Sequence, residues 1–189
     1  SDTNYNVTYN TKYGELPTPT KDGYTFDGWY TGENGTGTKV TSDTVVTNAN
    51  NHTLYAHWTQ ITFNVDTNPV INGTTYTAGL SGFTYNVYVN GSLVASNVGD
   101  YWATVPYGGT LRLVPNAVTG YAAAEAARTN ITNNTALTGP TWRLHTVCMQ
   151  FNMNKGTLST NNSYIKADGN YLTYNGSRCV KTYSYGETV

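Results

Sequence analysis

The chain has 189 residues, of which 11% are charged, and its formal net charge is −1. An ordinary soluble domain is about one quarter charged, so hydroxyl and amide groups do the solubilising here, and no basic field exists to hold nucleic acid or an anionic membrane. No apolar run approaches the roughly 18 residues that span a bilayer, while 17 tyrosines and 19 glycines describe an extracellular, mostly β protein with tyrosine-bearing strands.

In chain order, YNVTYNTKY (Tyr5 to Tyr13) predicts a strand with Tyr5, Val7 and Tyr9 on one face. Pro17 and Pro19 then forbid a regular ladder. GYTFDGWYT (Gly23 to Thr31) is followed by the turn-forming GENGTGTK (Gly32 to Lys39). A second strand is expected over Val40 to Val46. HTLYAHWT (His52 to Thr59) alternates, with Leu54, Ala56 and Trp58 on one side and Tyr55, His57 and Thr59 on the other. The aromatic blocks predict a small structural core of Phe26, Trp29, Leu54 and Trp58.

The phrases LPTPTKDGYTFDGWYT, TKVTSDTVVT and HTLYAHWT carry the pattern P-x-x-x-G-Y-x-F-x-G-W-Y with a closing L-Y-A-x-W. Over residues 13–59 this resembles the internalin B-type repeat (the Listeria–Bacteroides repeat) of bacterial surface proteins. The resemblance implies β-grasp-like small modules in tandem, packed on neighbouring repeats of the same chain in a surface-exposed protein, and it brings no catalytic residues. Such repeats usually open with an extra strand before Y-G-x-L-P, so residues 1–59 read as a repeat lacking its first strand.

Residues 60–144 read as a second, divergent β module. ITFNVD (Ile61 to Asp66) alternates, and FTYNVYV (Phe83 to Val89) with SLVAS (Ser92 to Ser96) flanks Asn90-Gly91, a strong hairpin signal. DYWATV (Asp100 to Val105) and TLRLVP (Thr110 to Pro115) flank a turn at Tyr107-Gly108-Gly109. VPYGGTLRLVPNAVTGY (Val105 to Tyr121) is similar to a divergent form of the same repeat, with AAAEAAR in place of F-x-G-W and NNTALTGPTW (Asn133 to Trp142) in place of the closing strand. Residues 122–128 predict one short helix, which must dock to persist because two turns are marginal in water.

Residues 145–189 read as a partial β module, the start of a further repeat. A strand from Val147 leads to Asn154-Lys155-Gly156, a hairpin is expected about Asn175-Gly176, and YSYGETV echoes TKYGELP of the first unit. The array is therefore expected to be out of phase with its repeats, each end offering an edge the other lacks and favouring weak end-to-end association. Cys148 and Cys179 either form a disulfide, closing a loop of about 32 residues and stabilising by roughly 3–4 kcal/mol, or remain two buried thiols.

Enzymatic constellations are not expected. His52, His57 and His145 lack metal-ligand spacing, and Glu15, Asp22, Asp27, Glu33 and Asp43 read as solvated turn carboxylates rather than a hydrolytic pair. No cofactor, metal or catalytic residue is predicted. Tyr101, Trp102 and Tyr107 are the candidate ligand contacts, because consecutive strand residues face opposite ways and all three cannot be core. Exposed aromatics stack on sugars or anchor protein partners. The leading reading is a non-catalytic tandem-repeat segment of a bacterial cell-surface or secreted protein, acting as stalk, spacer and adhesion surface toward a host or neighbouring-cell protein or glycan. The alternative is a carbohydrate-binding module of a glycan-processing protein, with Trp102 and Tyr107 as platforms.

Overall fold

A computed structural model describes residues 4–148 and the strand pieces 166–167, 170–171, 173–174, 177–178 and 182–184, of which residues 146 onward are described in backbone only. The chain is mostly β, and among the described residues the helical structure is one 3-10 turn, Glu33–Gly35. It divides into two compact units, residues 1–63 with 104–109 and 130–133, and residues 64–103 with 110–129 and 134–189.

The first unit is built on β1 (Tyr24–Tyr30), β2 (Lys39–Val40) and β3 (Tyr55–Gln60), an antiparallel sheet in the order β2-β1-β3. Phe26 is opposite Trp58 and Trp29 opposite Ala56, with a bulge between Phe26 and Gly28. Residues three apart on a plain strand point to opposite faces. The extra residue of the bulge cancels that inversion, so Phe26, Trp29 and Trp58 share one face, while Asp27, His57 and Thr59 share the other. Gly28 sits at φ +140, a backbone conformation L side chains rarely adopt.

The expected Tyr5 to Tyr13 strand is not formed. Asn10 turns left-handed at φ 63 and ends any extended run, after which Lys12 bridges Val45 and the backbone of residues 10–14 bonds that of residues 42–46. Tyr5 and Tyr9 are each 58% exposed. The second strand is likewise shorter than Val40 to Val46, since β2 ends at Val40, yet Val40 and Val46 are both buried.

The second unit takes in β4 (Thr62–Ile71), β5 (Thr74–Thr75), β6 (Tyr85–Val89), β7 (Ser92–Val98), β8 (Tyr101–Pro106), β9 (Gly109–Pro115), β10 (Tyr121–Ala124), β11 (Ala126–Ile131) and β12 (Leu137–Leu144), some of which begin or end in the first. They form a five-stranded sheet, β10-β12-β4-β5 with β8 on β4, and a four-stranded sheet, β11-β9-β6-β7. β12 runs parallel to β4. Tyr85, Val87, Leu111 and Leu113 of the four-stranded sheet are buried, as are Val65, Thr67, Ala103 and Trp142 of the other. Asn90 and Gly91 both have positive φ between β6 and β7, the backbone the Asn-Gly hairpin requires.

Residues 122–128 are not helical, which corrects the expectation from composition. Ala122, Ala123 and Ala124 pair with Arg143, Trp142 and Thr141 of β12, and the chain resumes at Ala126 as β11 beside β9. A two-turn helix offers too little intrinsic stability to compete with ladder bonds to a waiting edge. Glu125, at the break, accepts two hydrogen bonds from the Arg112 guanidinium at 2.8 Å each.

Toward the C-terminus β13 (Thr146–Cys148) pairs with β18 (Thr182–Ser184), β14 (Lys166–Ala167) with β15 (Asn170–Tyr171), and β16 (Thr173–Tyr174) with β17 (Ser177–Arg178). The last pair flanks Asn175-Gly176, where a hairpin was expected. Cys148 ends β13, but Cys179 lies outside the described residues, and with it the bridge.

Two buried hydroxyls join the sheets of the second unit. Tyr85 Oη is 2.5 Å from Thr67 Oγ1, and Thr67 Oγ1 donates to the Tyr101 carbonyl at 2.8 Å. Burial, opposed by the Thr67 bond, raises the Tyr85 phenol from 10.0 to about 12. The neutral phenol is therefore favoured in the folded state. Its contribution to stability is complete below the unfolded value near 10 and is lost as pH rises toward about 12. Tyrosinate absorbance should show a late-ionising phase that Tyr85→Phe removes, and the variant's stability should fall less between pH 9 and pH 12 than the parent's. A titration with no late phase would contradict the assignment.

Candidate functional site

The residues singled out by sequence fall into two places. In the first unit Phe26 is the hub: its ring centroid lies 5.6 Å from that of Trp29 and 5.2 Å from that of Trp58. Trp29 Nε1 donates to the Pro17 carbonyl at 2.8 Å, tying the proline segment to the sheet. Leu54, one residue before β3, is half-buried like the three aromatics. Val40, Val46, Val105 and Ile131 are more deeply buried in this unit than the predicted four. Their alternation is local and short, so only tertiary context exposes them as core.

The opposite face of the sheet is polar and was missed. Asp27 is no solvated turn residue: its Oδ2 accepts from Thr59 Oγ1 at 2.7 Å and lies 2.9 Å from His57 Nδ1. The Tyr30 ring meets His57 edge-on at 5.5 Å. A Cβ added at Gly35 would come within 2.8 Å of His57 Nε2, so the far edge of the imidazole is packed against backbone. Nucleophilic catalysis needs the order carboxylate, imidazole, hydroxyl. Here the hydroxyl bonds the carboxylate, and the arrangement fixes the bulge rather than activating Thr59. Strand pairing brings together residues 32 apart (Asp27 and Thr59), a relation that spacing alone does not reveal.

The three ligand-contact candidates separate. Tyr107 packs on Gly23, where an added Cβ would stand 2.9 Å from its Cδ1, and its ring lies 6.4 Å from that of Phe63. The Asp22 charge beside it, and then the hydrogen bond to that carboxylate, hold its phenol above the usual range. Tyr101 is half-buried, with its carbonyl committed to Thr67. Trp102 alone of the three is open, 62% exposed between two inward neighbours on β8. Among the described residues no three His, Cys, Asp or Glu side chains gather to hold a metal ion, and no helix is long and apolar enough to cross a membrane.

Residues 1–57 match the family model of the Listeria-Bacteroides repeat domain. Over 58 residues the chain is 48% identical to internalin H of Listeria monocytogenes serovar 1/2a, a stretch amounting to 31% of this chain and 10% of internalin H. No solved structure matches the chain.

Gly28→Ala tests the bulge. The new Cβ would stand 2.6 Å from Lys39 Cε, a flexible tip that can move aside, so the lasting penalty is backbone strain of about 1–3 kcal/mol. Chemical denaturation should show that loss, and the same loss in a Lys39→Ala background. Full relief by Lys39→Ala would assign the glycine to side-chain clearance instead.

Proposed function

We propose that this chain is a non-catalytic segment of a bacterial cell-surface or secreted protein, whose modules act as spacer and as adhesive surface. One observation carries the reading: the residues that define the repeat are consumed by packing. Phe26, Trp29 and Trp58 contact one another, the indole nitrogen of Trp29 is bonded to Pro17, and the polar face of the same sheet is closed on itself. The motif therefore specifies a fold and leaves no reactive group over. The likeness of residues 1–57 to the repeat and to a segment of internalin H supports a surface-protein module. Its partners in this reading are the neighbouring repeats and a protein or glycan on a host or neighbouring cell.

A second reading, a carbohydrate-binding module, draws on the exposed indole of Trp102. It is weaker because Tyr107, the other proposed platform, is packed against Gly23 and Phe63.

A glycan array probed with the full chain separates the two. The spacer-and-adhesion reading predicts that any saturable glycan binding survives Trp102→Ala, and that the variant's stability stays within about 0.5 kcal/mol of the parent, as for a surface site. A reproducible, saturable hit that Trp102→Ala abolishes while leaving the melting curve unchanged would establish the binding module.

A further inference from the structure

The match to the repeat family ends at residue 57, but the first unit does not: it also takes in residues 58–63, 104–109 and 130–133. Val105 and Ile131, in two of these pieces, are among its buried residues. Backbone bonds link the pieces to the repeat in series. The Ile61 amide donates to the Gly23 carbonyl at 2.9 Å, the Tyr107 amide to the Ile61 carbonyl at 2.9 Å, and the Gly108 amide to the Ile131 carbonyl at 2.8 Å. Main-chain bonds of this kind hold any sequence alike, and selectivity comes from the side chains beside them.

Three side-chain contacts at this place single out tyrosine before glycine. The Tyr107 ring lies on Gly23, where an added Cβ would stand 2.9 Å from its Cδ1 and 3.3 Å from its Cβ and Cγ, so only glycine lets the ring come this close. The Phe63 ring is its neighbour at 6.4 Å, within the range of favourable aromatic pairs. Its hydroxyl donates to the Asp22 carboxylate, a bond that no aliphatic side chain makes. The Tyr-Gly turn is also a recurrent part. The Tyr13 and Gly14 amides likewise both donate to backbone carbonyls, those of Thr44 and Ser42. Gly14 and Gly108 share one backbone conformation, at φ 71 and 73, and the dipeptide occurs once more at residues 185–186.

We propose that Asp22 and Gly23, with Ile61 and Phe63, form a docking site for a Tyr-Gly turn, and that the repeat is closed by such a turn from the module that follows it. Tyr107-Gly108 fills the site here. The inference rests on the tandem-module reading and adds a rule of succession to it. A module follows this repeat only if it presents an aromatic residue, best tyrosine, ahead of glycine at the matching turn. A segment ending at residue 57 holds the aspartate and the glycine of the site and none of the rest.

Amide hydrogen exchange in the full chain is the test. Tyr107→Asn keeps a turn-forming residue before Gly108 and removes the ring. The Ile61 amide, and the Tyr24 amide that closes the turn onto the Lys21 carbonyl, should then exchange about tenfold faster or more. The amides of Val87 and Leu113 in the second unit should be unchanged, and Tyr107→Phe should recover most of the lost protection. Gly23→Ala should cost less protection in the Tyr107→Asn background than in the parent, because no ring is left to meet the new Cβ. Asp22→Asn should return the ring-carbon titration of Tyr107 toward that of an ordinary tyrosine. Loss confined to residues 107–109 in Tyr107→Asn, with Ile61 and Tyr24 unaffected, would overturn the proposal. So would an equal cost of Gly23→Ala in both backgrounds, which would assign that glycine to its φ of 76 alone, or a Tyr107 titration indifferent to Asp22→Asn. None of these measurements depends on what the chain binds, so their failure would leave the surface-module reading standing, and a glycan hit abolished by Trp102→Ala would leave the docking site standing.

Discussion

Two residues three apart on a strand cannot both face a core unless the ladder is broken between them. The first unit depends on such a break at Asp27-Gly28, where the register shifts by one. It lets Phe26 and Trp29 stand on the side of Trp58, and it sends Asp27 to the side of His57 and Thr59. The F-x-G-W spacing is thus a statement about geometry: a bulge needs a residue free at φ +140, and glycine supplies it. Pro17 presents its carbonyl to Trp29 Nε1, so the extended segment before the sheet acts as a strap over the aromatic face.

The second unit solves a different problem, that of building an interior with few large aliphatic residues. Tyr85 and Trp142 are fully buried, and each brings a polar atom that must be bonded. Tyr85 reaches Thr67, and Trp142 Nε1 donates to the Asn116 carbonyl at 3.0 Å. Asparagine completes the scheme. Asn72, Asn90 and Asn97 take positive φ at turns and a bulge. The side-chain oxygens of Asn72, Asn90 and Asn86 accept from the amides of Leu144, Thr110 and Asn97. Amides thus do locally what lysine and glutamate do in more highly charged domains, which accounts for a stable β chain with so few charges.

Much of this was legible in the sequence, and the remainder was hidden for physical reasons. Alternation around Leu54, Ala56 and Trp58 and the Asn90-Gly91 turn are local signals, and the structure follows them. The aromatic cluster was legible as a list of residues but not as an arrangement, because a lone glycine inside a strand pattern marks a bulge only when the parity of its flanking aromatics is checked. Residues 122–128 misled because helix propensity is a property of the isolated segment, whereas the edge of β12 is a property of the whole sheet. Tyr5 to Tyr13 alternates well, but Asn10 at positive φ breaks the run, and only residues 10–14 bond the backbone of residues 42–46. The Asp27-His57-Thr59 cluster joins two strands at long range and leaves no trace in spacing.

The central claim is that Phe26, Trp29 and Trp58 are spent on one another across a bulged strand. Nuclear Overhauser contacts in the full chain test it directly. The account predicts contacts from the Phe26 ring to both the Trp29 and Trp58 indoles, with the Asp27 β-protons near His57 and Thr59. Contacts that place the Trp29 indole beside His57 and Tyr30 instead would mean a regular, unbulged strand, and the account would be wrong.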